Sequence, residues 1–287
     1  MAKGFLKTPL NKKFNINRNK MAVDTSHRKR KLLQYARFLI KKQAYILKLN
    51  KRLKQIEQMV TPGYSHIWDC CCDHGFLGAA LLSRQAAMNI HFVDIVPELM
   101  DKLEIKLHQF YSGSDSIWKT HCLDVAALPL DQYEGKHLII IAGVGGDLMN
   151  VFIQAIHQKY PHLTIDFLLC PVHHQFTLRQ QLIKLDFSLK REILIEENKR
   201  FYEILFVSSK IDINKRVSAV GNDIWKVSST QQIEAVKAYL HKTLQHYQRI
   251  QKGKGSEVDH ILDAYRTIQF ESRNETKWSR CIKAITA

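Results

Sequence analysis

Disulfide spacing, a membrane span and an export signal are all missing from these 287 residues. The six cysteines (Cys70, Cys71, Cys72, Cys122, Cys170 and Cys281) do not fall at the spacings of a disulfide framework. Reduced thiols and a cytoplasmic location are expected. No apolar run approaches the ~20 residues that a membrane span needs, and the basic N-terminus lacks the apolar core of a secretory leader. Acid is scarce in one region only. Residues 1–54 hold 17 Lys and Arg against a single acid, Asp24, while the rest of the chain holds 26 basic and 26 acidic residues. The whole excess of +16 therefore lies in the first fifth of the chain. A basic arm on a neutral body is an electrostatic handle for a polyanion. Nucleic acid is the expected partner, because phosphate neutralisation rewards such an arm.

Metal-ligand spacing is missing too. Cys70, Cys71 and Cys72 are contiguous, whereas zinc ligands stand two or more residues apart. Adjacent strand side chains point to opposite faces, so neither this run with His74 nor the pair His173-His174 is expected to hold a metal. No internal repeat of 20 to 50 residues is present.

What is present is apolar material for a core, 45% of the chain with 13 Phe, 10 Tyr and 4 Trp. Residues 1 to about 25 lack periodicity and read as disordered in isolation. Leu32, Leu33, Ala36, Leu39, Ile40, Ile46 and Leu47 recur at helical spacing among basic residues, which predicts an amphipathic helix over 26–48. A second helix, 49–60, stops at Thr61-Pro62-Gly63. Strand-like runs then alternate with helical ones. The strands are 67–71, 90–94, 118–122, 138–142 and 167–170; the helices are 77–84, 97–110, 148–160 and 175–184. Such alternation implies a parallel sheet with helices on both faces. Runs 189–196 and 200–208, joined at Asn198-Lys199, predict an antiparallel hairpin closing the sheet. A polar linker is expected over 210–230. Two apolar stripes separated by Gly253-Lys-Gly-Ser, over 231–250 and 258–268, predict a helical hairpin. The expected domains are a basic arm and helix (1–47), a sheet domain (48–210) and a helical C-terminal region (211–287).

In a parallel α/β sheet, ligands bind beyond the carboxyl ends of the strands. Asp69 and Asp73 flank the first turn, Asp94 ends the second strand, and Asp124 follows the third. An acid ending the second strand ordinarily bonds a ribose hydroxyl. The fourth strand runs into Ala142-Gly143-Val144-Gly145-Gly146, where missing Cβ atoms let backbone approach a ligand.

At Lys48-Leu-Asn-Lys-Arg-Leu53, Asp73-His74, Ile141-Ala-Gly-Val-Gly-Gly146, around Pro171 and at Phe201-Tyr-Glu-Ile-Leu205, the sequence resembles the bacterial tRNA N1-methyltransferases that act on adenine 22. The likeness covers about residues 48–280. It implies the Rossmann-like sheet of class I methyltransferases, five parallel strands plus a terminal β-hairpin with a helical C-terminal extension. It also implies S-adenosyl-L-methionine as methyl donor and tRNA as substrate. Asp94, with Ile95, is expected at the ribose, and Asp124, with Val125, at the adenine. Asp69, Cys71, Gly75, Ala142 and Gly143 complete the cofactor set. Asp73 and His74 are expected to face the methionine end or the target base; a helix-capping role is the other reading of Asp73. Lys29, Arg30, Lys51, Arg52, Phe76, His173 and Tyr202 form the expected substrate set. The family ordinarily has Gly-Ser where this chain has Cys71-Cys72. Cysteine favours φ < 0, so the turn is expected to shift toward Gly75 and Gly78. The Asn/Asp-Pro-Pro-aromatic signature of amino-group methylation is absent after the fourth strand, which favours a ring nitrogen as target. The rival readings are a catalytically weakened RNA-binding protein of the same fold and a methyltransferase for another RNA.

Overall fold

Strand β1 (His66–Cys70) is buried at every residue, the signature of a strand covered on both faces. It pairs in parallel with β2 (Asn89–Asp94) through Ile67 and Ile90 and with β4 (His137–Ala142) through Ile67 and Leu138. Strand β3 (Ile117–Cys122) extends the sheet beyond β2, and β5 (Ile165–Cys170) beyond β4, both in parallel. The hairpin β6 (Ser188–Glu197) and β7 (Arg200–Ser208) closes the far side, with β7 antiparallel to β5. The order is β3-β2-β1-β4-β5-β7-β6, so five parallel strands and a terminal hairpin form as expected. The computed structural model describes residues 28–29, 32–33, 49–227 and 229–269.

The chain divides into two units, residues 1–47 and 48–287. Of the first unit, Arg28, Lys29, Leu32 and Leu33 are described; they are helical and exposed, Leu32 by 67% and Leu33 by 61%. The remainder of the helix expected over 26–48, Arg30 included, lies outside the described residues, as does Cys281.

In the second unit, helix α1 (Lys51–Met59) is capped by Asn50, whose side chain accepts the Leu53 N–H at 2.8 Å. Helices α2 (Phe76–Ser83) and α3 (Pro97–Tyr111) follow β1 and β2. Helices α4 (Gly146–Lys159) and α5 (Gln175–Lys184) follow β4 and β5. Trp68, Cys70, Ile139, Ile141, Phe167 and Leu169 share one sheet face and pack on Met149, Phe152, Ile153 and Ile156 of α4 and on Leu178 and Leu182 of α5. Between β3 and β4 the chain makes only two short 3-10 turns, Val125–Ala127 and Leu130–Gln132.

There the sheet face carries a stack of histidines instead of a helix. His66 Nε2 lies 3.1 Å from the Glu134 carbonyl, His66 Nδ1 3.0 Å from His91 Nε2, and His91 Nδ1 2.9 Å from His121 Nε2. A carbonyl can only accept, so His66 carries its proton on Nε2. His91 and His121 must then each donate from Nε2. His137 likewise donates to the Tyr133 carbonyl (3.0 Å) and accepts from the Trp68 indole (3.2 Å). Every ring is satisfied while neutral. Burial pushes His91 down to about 2 and His137 to about 4, and lowers His66 and His121 as well.

The C-terminal region differs from expectation in two places. The stretch read as a polar linker contains a 3-10 turn, Asp223–Trp225, that buries Ile224 and Trp225. Helix α6 (Thr230–Lys254) runs through Gly253 and ends at Gly255, which takes φ 63°. A single interior glycine costs a helix only about 1 kcal/mol, so the break waits for the position with positive φ. Helix α7 (Asp259–Arg266) folds back: Gln251 bonds Asp259, and the Tyr247 and Tyr265 rings stack at 6.2 Å. The pair docks on Phe176 of α5 and on Leu194 and Phe201 of the β6–β7 hairpin. Beneath it the fully buried Arg179 donates to Glu192 and Glu203, both at 2.7 Å, while Tyr239 of α6 donates to Glu203 at 2.5 Å.

Candidate functional site

All five parallel strands end at one edge of the sheet, and the order reverses at β1, flanked by β2 and β4. That is the switch point at which open α/β sheets bind ligands. Backbone bonds draw the strand ends together. The Cys72 N–H donates to the Val93 carbonyl at 3.1 Å and the Leu123 N–H to the Asp94 carbonyl at 3.1 Å. Asp94 is the fastener: Oδ2 accepts the Asp73 N–H at 3.0 Å and Oδ1 the Val96 N–H at 3.2 Å. Each carboxylate oxygen keeps a second lone pair for a ligand.

The first turn is tighter than the sequence suggested. Cys71 itself takes φ 55° and Asp73 φ 48°, so positive φ begins at Cys71 and does not wait for Gly75; Gly78 is helical. Cys71 is half-buried, and its thiol is pushed up to about 12 by burial and then by Asp94, Asp69 and Asp124. One side chain thus lies within electrostatic reach of carboxylates from three strand ends. Asp124 is exposed and accepts the Ala126 N–H at 2.8 Å, while Val125 beside it is buried. Ile95 is 65% exposed next to Asp94. Gly143 takes φ 93°, is exposed, and has open space where a Cβ would project. Ala142 is partly buried before it, and Gly75 is buried at the start of α2 with φ 68°.

Asp69 departs from expectation. It is buried beneath the turn, 4% exposed, and its Oδ2 accepts the Gly78 N–H at 2.7 Å. Burial pushes its carboxyl up to about 7. Asp69 therefore supports the first turn of α2 from below and has little surface to offer a ligand. That bond performs for α2 the capping function weighed for Asp73; the N-cap residue itself is Gly75, which makes no side-chain capping bond. Asp73 and His74 are instead exposed at the crest, with His74 Nδ1 3.7 Å from Asp73 Oδ1 and the Phe76 ring 5.7 Å from that of His74.

Within the second unit the expected substrate residues fall in separate places. Lys51 donates to the Glu196 carbonyl at 2.8 Å, and the Arg52 guanidinium lies 5.0 Å over the Tyr202 ring. These three tie α1 to the hairpin. Lys29 belongs to the other unit. His173 is exposed beside Gly145, and its carbonyl accepts the Gly146 N–H at 2.9 Å. A pair that the sequence did not single out stands next to it: Asp147, one residue past the glycine turn, pairs with His174 Nδ1. Histidines followed by an apolar stripe carried no signal for that pairing, which depends on the β4 and β5 turns meeting. Among the described residues no cluster of three or more His, Cys, Asp or Glu could hold a metal ion, and no helix is long and apolar enough to cross a membrane.

The β3-β2-β1-β4-β5-β7-β6 sheet with its switch point at β1 is the Rossmann-like fold of class I methyltransferases. Residues 49–205, over half of the chain, match the model of the methyltransferase domain, and the chain belongs to that family. Three solved structures share the fold at low identity. M. capricolum TrmK with the cofactor product S-adenosyl-homocysteine is 16% identical over 83% of this chain and 96% of its own, with a TM-score of 0.58. Streptococcus pneumoniae Sp1610 with S-adenosyl-L-methionine is 19% identical over 76% and 98%, at 0.58. The B. subtilis m1A22 tRNA methyltransferase TrmK is 19% identical over 84% and 100%, at 0.54. A comparison with curated protein sequences finds no match.

Proposed function

We propose that the protein methylates N1 of adenine 22 in tRNA, with S-adenosyl-L-methionine as the donor. The observation that carries the donor's part is the sheet edge at β1, where Cys71 lies within electrostatic reach of Asp94 and Asp124 and the neighbouring β4 ends in Gly143, with open space where a Cβ would project. The residues fit a sulfonium nucleoside: carboxylates for hydroxyls and a cation, exposed Ile95 for a flat ring, and no Cβ at Gly143. When bound, the donor supplies a methyl group on a positively charged sulfur. Asp94 holds the ribose hydroxyls, and Asp124 and Ile95 flank the adenine. Asp73, exposed over β1, balances positive charge that develops on the target base. Similarity to the TrmK structures over nearly their whole length supports the tRNA substrate. So does the basic segment 1–54. The substrate in turn implies a cytoplasmic location. Holding both reactants in line supplies much of the rate, and the stacked base is exposed at a cost of a few kcal/mol.

The test is to incubate the protein with methyl-labelled donor and unmodified tRNA and to map the label by nuclease digestion and mass spectrometry. Label at N1 of adenine 22 is expected. Label on another nucleotide overturns the substrate, and no label on any tRNA overturns the activity.

A further inference from the structure

Seven non-glycine residues take positive φ among those described. Four are where chains ordinarily turn: Gln85 and Asp186 after helices, Asn198 and Lys199 in the hairpin. The other three, Cys71, Asp73 and His174, stand at the carboxyl edge of the sheet. His174 takes φ 60° at the start of α5 and makes no capping bond with its side chain. Such a conformation costs on the order of 1–3 kcal/mol, and an exposed ion pair returns at most about 1 kcal/mol. The pair with Asp147 therefore does not account for the strain by stability alone.

Two turns hold His174 in place. The Val172 N–H donates to the Val144 carbonyl at 3.0 Å, the Gly146 N–H donates to the His173 carbonyl at 2.9 Å, and a Cβ on Gly146 would strike the His174 carbonyl. Asp147 meets Nδ1, which turns Nε2 the other way and fixes it as the acceptor of the neutral ring. Helix α6 lies alongside: His246 is within electrostatic range of His174, and Tyr247 of Asp147. The pair thus occupies the β4–β5 side of the crest, across the switch point from Asp94 and Asp124.

We infer that His174 is a catalytic residue that accepts a hydrogen bond from the exocyclic amine of the target adenine, and that Asp147 is a positioning residue acting through it. This rests on the proposed methylation. As N1 forms its bond to the methyl carbon, the carbon–sulfur bond breaks and its electron pair stays on sulfur. The positive charge that leaves sulfur spreads over N1, C6 and the amine of the adenine. A neutral imidazole facing the amine hydrogen stabilises that charge, and the Asp147 carboxylate holds the imidazole in the accepting tautomer.

The test uses the full-length protein with unmodified tRNA. Glycine adopts φ 60° without strain, so His174→Gly removes the ring without endangering the fold. For His174→Gly the expected result is a kcat lower by about tenfold or more, with KM for tRNA and Kd for S-adenosylhomocysteine within about twofold of wild type, each step being a modest free energy. Added imidazole restores part of the loss. Asp147→Asn lowers kcat less, and Asp147→Asn with His174→Gly is no worse than His174→Gly, as for residues that act as one unit. His162→Ala, at the exposed turn before β5, serves as the unaffected control. A His174→Gly variant with wild-type kcat, or a loss that imidazole leaves untouched, overturns the assignment. Absence of transfer by the wild-type protein overturns the methylation on which it rests.

Discussion

Cys71 replaces the glycine of the resembled pattern yet takes φ 55°. Cysteine here adopts a conformation that glycine takes freely, at a cost in strain, so the substitution that motivated the rival reading of a weakened, non-catalytic protein does not of itself change the turn. Cys71→Gly is expected to bind S-adenosylhomocysteine at least as tightly as wild type, measured by calorimetry; clearly weaker binding contradicts the assigned turn. The same residue predicts a reactivity pattern. With its thiol pushed up to about 12 by burial and three carboxylates, Cys71 has almost no thiolate at pH 8, and the thiolate is the nucleophile. That also keeps it inert toward an electrophilic methyl donor. Alkylation by iodoacetamide followed by peptide mass spectrometry is expected to mark exposed Cys122 well before Cys71; the reverse order contradicts the acidic ring. Asp69 and Asp94 could not be told apart from sequence, because each is an acid in an apolar run. Both are buried and only their partners separate them, with one carboxylate accepting the Gly78 N–H under the helix and the other fastening the crest.

Elements were legible where the pattern was continuous. Central strands buried on both faces are unbroken apolar runs, and the glycine turn after β4 follows one directly. The segment 211–227 was not legible, because Ile224 and Trp225 are isolated apolar residues without a period, buried by neighbours from α5 and α6. Nor was the histidine stack, whose members come from four strands. It predicts acid sensitivity. His91 and His137 have folded values of about 2 and about 4, below the 6.5 of a free histidine. Through these histidines the unfolded chain binds more protons below pH 6.5, and their contribution to stability falls with pH from there down toward 4 and below, while Asp69, raised to about 7, acts in the opposite sense over part of that range. The slope is roughly 1.4 kcal/mol per pH unit for each such histidine. Urea midpoints at pH 7.5 and 5 check this: a clear drop is expected, and replacing His91 by Asn is expected to shrink the pH dependence. A second element-scale outcome concerns the docking of α6. Arg179→Ala leaves Glu192 and Glu203 buried without their countercharge, a loss of about 3–5 kcal/mol readable in thermal melts; a change under about 1 kcal/mol contradicts the buried network.

At the scale of the whole molecule, net charge and the proposed site fall in different stretches of the sequence. The excess of basic residues lies in the first 54, while the strand ends proposed to hold the donor belong to residues 55–287, which hold 26 basic and 26 acidic residues. Removing residues 1–47 is expected to weaken tRNA binding and to flatten its dependence on salt, with donor binding unchanged. An unchanged salt slope in filter binding contradicts the role given to the arm. Everything downstream depends on the carboxylate-lined crest admitting a sulfonium nucleoside. Calorimetric titration of S-adenosylhomocysteine into the wild-type protein and into Asp94→Asn tests that most directly. Saturable one-site binding by the wild type, weakened about tenfold or more in the variant, is the predicted result; no binding by the wild type, or equal binding by both, contradicts it.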